Sequence, residues 1–183
     1  MDHLSTDELE AGLTEVAAAP KEEGTLALIV RRPDIDEREV LETGELSLAE
    51  GLVGDSWRAR ALARSDGESP NPETQLNVMN ARFTALIAGS DDRWKLAGDQ
   101  LYLDFDISEE NLPIGSKVAI GEAVIEVTAV PHTGCQKFST RFGLEARKFA
   151  NSETGKAFRL RGLNARVVVP GAIRRGDKVR KVG

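Results

Sequence analysis

Pro131-His132-Thr133-Gly134-Cys135-Gln136-Lys137-Phe138 contains the one cysteine of a 183-residue chain and one of its two histidines. Thiolate is the form of cysteine that attacks electrophiles and binds soft metals, and nearby positive charge favours it. Here that charge can come from His132 and Lys137, and from the N-terminal end of a helix expected over residues 139–150. The same residues also admit a buried, inert thiol, because free cysteine is among the most buried residue types.

A strand expected over 123–130 delivers the chain to this segment. Ile125, Val127 and Ala129 share one face, with Val124, Glu126, Thr128 and Val130 on the other. After the cysteine, Phe138, Phe142 and Phe149 recur at helical spacing and read as core. Residues 151–156 read as a polar loop, and 165–169 as a strand turned by Pro170-Gly171. Ile114-Gly115-Ser116-Lys117-Val118 and Arg175-Gly176-Asp177-Lys178-Val179 echo one another. They read as equivalent strand-opening turns, with Asp177 closing an Asx turn.

Charge is distributed unevenly. Residues 131–183 hold thirteen bases and three acids, while 1–130 hold eleven bases and 27 acids, within a net charge of −6. Either the two segments neutralise each other on packing, or a basic pocket for an anionic ligand lies beside the thiol. Nucleic acid is disfavoured as a partner, since aromatics are few and no nucleic-acid motif is present. There is no G-x-G-x-x-G and no phosphate-cradling G-x-x-x-x-G-K-[ST]. One cysteine and two histidines do not easily build a structural zinc site.

Upstream, residues 5–18 form an amphipathic helix with Ser5 and Glu8 as a capping box. We assign residues 1–22 to a helical extension and 23–183 to a single globular unit. A strand follows at 25–32, and the arginines ending it, Arg31 and Arg32, read as solvated ends. Residues 39–43 and 45–48 read as two extended pieces separated by Gly44. Gly51-Leu52-Val53-Gly54-Asp55 is a turn whose glycines allow close backbone approach. Residues 65–72 read as a polar surface loop, 75–79 as a strand, and Asn80 as the cap of a helix to Ala88. Asn77 reads as bonding to nearby backbone. Leu101, Leu103 and Phe105 mark one face of a strand at 100–105. Many short strands with a few inserted helices indicate a β-rich α+β fold with a closed, barrel-like sheet and peripheral helices. The longest apolar run is too short to span a bilayer and the N-terminus lacks a signal-peptide pattern, so no membrane association and a cytoplasmic location are expected.

Five segments in order resemble the MOSC family, named for the C-terminal domain of molybdenum cofactor sulfurase. They are Gly51-Leu52-Val53-Gly54-Asp55, Glu110-Asn111-Leu112, the cysteine segment, Arg161-Gly162-Leu163-Asn164-Ala165-Arg166-Val167, and Pro170-Gly171-Ala172-Ile173-Arg174-Arg175-Gly176-Asp177. The resemblance covers roughly residues 24–182. It implies a barrel-like domain whose cleft contains the cysteine. It also implies an association with the molybdenum cofactor (molybdopterin), an anionic pterin.

The resemblance implies that Cys135 serves either as molybdenum ligand or as sulfur carrier. The chemistry would then be oxidoreductase work on N-hydroxylated compounds, or sulfur transfer. A separate cysteine desulfurase or an electron-donor protein would be the partner. Arg161 and Arg166 are the candidate contacts for the cofactor's anion, with Arg58 and Arg60 behind them. His132 is placed to tune the thiolate. Thr133, Gln136 and Asn111 complete the set, although by its own sequence context Asn111 reads as a loop pin. Two other classes remain open: a metal-free persulfide or thiol redox carrier, and a non-catalytic binding domain with an unreactive cysteine.

Overall fold

The computed structural model describes residues 3–64 and 69–183. Seven strands form a closed ring: β1 (Glu23–Arg31), β11 (Lys178–Val182), β7 (Lys117–Ile120), β8 (Ala123–Val127), β9 (Leu163–Val169), β5 (Leu76–Asn80) and β6 (Leu101–Asp104). The ring closes because β1 pairs with β11 through Thr25↔Lys178 and with β6 through Leu26↔Leu103. Among the described residues, only β5 and β6 pair in parallel. The β2 strand (Glu39–Leu41) extends β1 outside the ring. A separate three-stranded sheet joins β10 (Gly171–Arg174), β3 (Thr43–Ser47) and β4 (Gly51–Leu52).

Two apolar layers follow from strand alternation. Leu26, Ile29, Leu76, Val78, Leu101, Leu103, Ile125 and Val127 point into the barrel. Leu28, Val30, Met79 and Tyr102 point outward, into a second cluster covered by helices. A register shift in the β1–β6 pairing between Leu26 and Leu28 lets Leu26 and Ile29, three positions apart, both face the barrel interior while Leu28 faces the helices. The covering helices are α1 (Thr6–Ala17), α3 (Ala81–Ala88), α4 (Gln136–Phe142) and α5 (Leu144–Asn151), which contribute Leu9, Val16, Phe83, Phe138, Phe142 and Ala146. Each of the buried Leu, Val and Phe side chains contributes about 1.5–3 kcal/mol.

Local signals explain most boundaries. Ser5 and Glu8 form the reciprocal capping box of α1. The Asn80 carboxamide accepts the amides of Arg82 and Phe83, starting α3 where expected. Three expectations need correcting. The helix expected over 139–150 is two helices, broken at Gly143, whose φ of +98° no α-helix accommodates. The 151–156 loop instead contains α6 (Glu153–Ala157), because the Ser152 side chain accepts the Gly155 amide. Gly44 lies inside β3, opposite Ile173, and its missing Cβ leaves room for Leu52. Part of the loop expected at 65–72 lies outside the described residues, and Pro72–Thr74 form a 3₁₀ turn capped by Asn71. Among the described residues, no helix is long and apolar enough to cross a membrane.

Candidate functional site

Cys135 sits where the cysteine loop meets α4, as the residue immediately before the helix. Its thiol is exposed, and its side chain caps no helix amide. The buried thiol of the binding-domain alternative is therefore not what the fold builds. The loop is fixed from behind at Gly134, whose amide donates to Asn151 Oδ1 (2.8 Å) and whose carbonyl accepts from Asn151 Nδ2 (3.1 Å). Val130 and Pro131 are tied by their carbonyls to Asn164 Nδ2 at 3.0 and 3.3 Å.

His132 is the most constrained side chain of the loop. Its Nε2 lies 2.8 Å from Asp99 Oδ1. Asp99 is fully buried and also receives Arg161 Nη1, at 3.0 Å and 2.8 Å from its two oxygens. Burial alone would raise the Asp99 carboxyl, but Arg161 and then His132 outweigh burial and hold it below the usual carboxylate range. An ionised carboxylate only accepts, so Nε2 carries the proton and Nδ1 is left as an acceptor. Burial, then the Arg161 charge, push the His132 imidazole down against the opposing pull of Asp99, so the ring is neutral near pH 7. Arg161 completes its environment with the Ala97 carbonyl and the face of Phe138, 5.0 Å from its guanidinium.

A second network lies on the other side of the loop. Arg32, which read as a solvated strand end, is only 5 % exposed and grips Asp55 through Nε (2.9 Å) and Nη2 (2.8 Å). Its Nη1 donates to the side chain of Asn77 and the carbonyl of Gly98. Asn77 then donates to Asn164 at 2.7 Å, so it bridges three elements rather than bonding to nearby backbone. The Asp55 carboxylate also accepts the Trp57 amide, and Arg60 lies 3.8 Å from it.

Two cavities flank His132, which lines both. One, about 260 Å³, is also lined by Arg32, Trp57, Arg60, Ala61, Thr74 and Asn77. Two guanidiniums, of Arg32 and Arg60, face it, with Asp55 behind them. The other, about 480 Å³, runs beneath residues 128–133 to α5, α6 and the strand end at Leu163. Thr133 lines the larger cavity; Cys135, three residues past His132, lines neither.

The remaining candidates are dispersed. Arg161 is a buried partner of Asp99 rather than a free anion contact. Arg166 takes a cross-strand pair with Glu126 at 2.6 Å and lines neither cavity. Arg58 is exposed on α2 (Trp57–Arg64), also away from both cavities. Gln136 is exposed, and its Oε1 accepts from Arg147. Asn111 pins its loop to the carbonyls of Lys21 and Asp106 and accepts from Lys181, in agreement with its local reading. Much of the basic segment is neutralised by carboxylates from earlier in the chain. Sequence reasoning missed Asp99, Asp55, Asn151 and Asn164. One signal was available: Gly54-Asp55, Gly98-Asp99 and Gly176-Asp177 each follow a positive-φ glycine with an aspartate that serves the fold. Among the described residues, no group of three or more His, Cys, Asp or Glu is arranged around an ion.

A family model described as MOSC domain matches residues 71–180. Among solved structures, the chain is similar to the YuaD protein of Bacillus subtilis (16 % identity, TM-score 0.58, 86 % of this chain and 94 % of that one). It is also similar to YiiM of Escherichia coli (21 %, 0.54, 87 % and 70 %). YiiM of Geobacillus stearothermophilus gives 15 %, 0.56, 87 % and 74 %. At these identities the likeness shows the fold alone. No curated protein matches the chain in sequence.

Proposed function

The chain belongs to the MOSC domain family, and from that premise we propose that the loop carrying His132 and Cys135 receives the anionic pterin cofactor of molybdenum, with Cys135 as sulfur donor. The observation that carries this reading is an exposed thiol on the loop whose His132 walls a recess faced by the guanidiniums of Arg32 and Arg60. Thiolate is a soft donor suited to such a metal. Arg161, which lines the larger cavity beside His132, keeps one buried donor, Nε, without a hydrogen-bond partner, and such a donor favours an acceptor-rich guest.

When bound, the cofactor supplies a redox-active molybdenum centre, the chemistry needed to reduce N-hydroxylated compounds. The chain's own residues supply position and charge. Arg32 and Arg60 attract the anionic end, and Asp55 fixes Arg32 so that its guanidinium need not reorganise. Asn151 holds the Gly134 peptide and so sets where the next residue, Cys135, projects. Asp99 fixes the His132 tautomer, leaving Nδ1 as a neutral acceptor for a proton beside the thiol loop.

The test is molybdenum and pterin content of the protein purified anaerobically from a host that makes the cofactor, beside Cys135→Ser. The reading expects both in the wild type and no molybdenum in the variant. A variant with wild-type stoichiometry removes Cys135 from the metal. The same exposure of the thiol also suits a persulfide carrier. That second reading expects cyanolysable sulfur on Cys135 and no molybdenum in either protein.

A further inference from the structure

The basic C-terminal segment answers most of its charge internally, as when Arg161 meets Asp99, Arg166 meets Glu126 and Arg175 meets Glu42. Of the bases that are not so paired, Lys156 and Arg159 share a cavity. Among the described residues neither forms an ion pair, and both line the 480 Å³ cavity. Arg159 donates Nη1 to the carbonyls of Leu112 (2.6 Å) and Ile107 (3.3 Å), which fixes the side chain without cancelling its charge. Burial pushes its guanidinium down, and Glu109 only partly offsets this. Glu109 also lines the cavity but forms no ion pair with either base, so its one carboxylate faces two cations, and a half-buried cation that is not paired gains from an incoming anion.

Another part of the cavity lining is apolar: Ile114, Ala129 and Leu163 belong to it. Ile114 is 64 % exposed, high for a large aliphatic side chain. The volume falls within the roughly 300–1,000 Å³ of pockets that enclose small molecules.

We propose that this cavity is a second chamber, separate from the arginine recess, and that it takes a flat, mostly apolar molecule carrying one anionic group. The body lies on Ile114, Ala129 and Leu163, and the anion meets Lys156 and Arg159. Because His132 walls both cavities, such a guest and a cofactor anchored in the arginine recess stand on two sides of one fixed imidazole. The chamber's role as the substrate side rests on the cofactor reading; its capacity to bind does not.

The experiment titrates the full chain with 2-naphthoate and with uncharged 2-naphthamide, followed by calorimetry. Naphthoate binds, and naphthamide binds about tenfold more weakly or worse. Lys156→Glu weakens naphthoate by about tenfold, and Lys156→Gln, which removes charge without reversing it, by about threefold. Ile114→Asp weakens it as well, while Arg60→Ala in the other recess leaves it within about twofold. Equal affinity for the two probes overturns the chamber. So does indifference to Lys156→Glu and Lys156→Gln, loss in Arg60→Ala, or no naphthoate binding at all. Wild-type protein that binds naphthoate but retains no molybdenum overturns the cofactor reading and leaves the chamber standing. Protein that retains molybdenum but fails with naphthoate overturns the chamber alone.

Discussion

Asp99→Asn is the most informative single change to the site's scaffold. Asp99 is fully buried, and Arg161 is 6 % exposed. The carboxylate meets Arg161 Nη1 through both oxygens and His132 Nε2 through one. An amide retains one acceptor oxygen but turns an NH2 donor toward a guanidinium, and it strands the Arg161 charge without a counter-ion. Removing one partner of a buried ion pair typically costs about 3–5 kcal/mol. With a urea slope of about 2 kcal/mol per M, the unfolding midpoint should fall by about 2 M at pH 7. Taking both charges out together, as in Asp99→Leu with Arg161→Met, should recover more than half of that loss, because no buried charge is then left alone. The assay is urea unfolding of the three proteins. A midpoint drop under about 0.5 M for Asp99→Asn, or a double variant no more stable than the single, would show that Asp99 is not the counter-ion on which buried Arg161 depends.

Three further outcomes follow from the same geometry. Gly162→Ala places a Cβ 2.3 Å from the Val78 carbonyl at a φ of +100°. It should destabilise by roughly 2 kcal/mol or more, and an unchanged melting temperature contradicts the packing described. His132 titrates below its ordinary 6.5 when folded, so below that value the unfolded chain binds the extra proton first. Its contribution to stability therefore falls as pH drops below about 6.5 toward the folded value, and urea titrations at about pH 7, 6 and 5 should show a shallower slope in His132→Gln. Asp99, lowered from 3.8, contributes stability that is complete above that value and lost only as pH falls through its folded pKa, so it does not act in this window. Arg32→Lys cannot reproduce the two-point grip on Asp55. It should lose about 1–3 kcal/mol in urea unfolding, and an unchanged midpoint would show that the fork is dispensable.

Elements built from local signals were legible in the sequence. The capping box at Ser5, the cap at Asn80, the alternation in β6 and β8 and the Phe138–Phe142 spacing in α4 each depend on residues a few positions apart. The cysteine stood out because it has no competitor in the chain. The scaffold around it was not legible, because its partners meet only through ring closure. Asp99 and Arg161 are 62 positions apart, and Asn77 and Asn164 are 87 apart. No local pattern links either pair. Arg32 was misread for the same reason: a strand-end arginine reads as solvated until the Gly54-Asp55 turn folds over it. Charge counting located a basic segment correctly but could not say which cations were already paired, and only the cavity distinguishes Lys156 and Arg159 from the rest.

Molybdenum-edge X-ray absorption tests most directly whether Cys135 ligates a pterin-held molybdenum centre. The samples are the wild-type protein loaded with the cofactor and the same isolated cofactor free in solution. If Cys135 ligates the metal, the protein-bound metal has one more sulfur neighbour than the free cofactor. An identical sulfur count in the two samples would contradict that ligation.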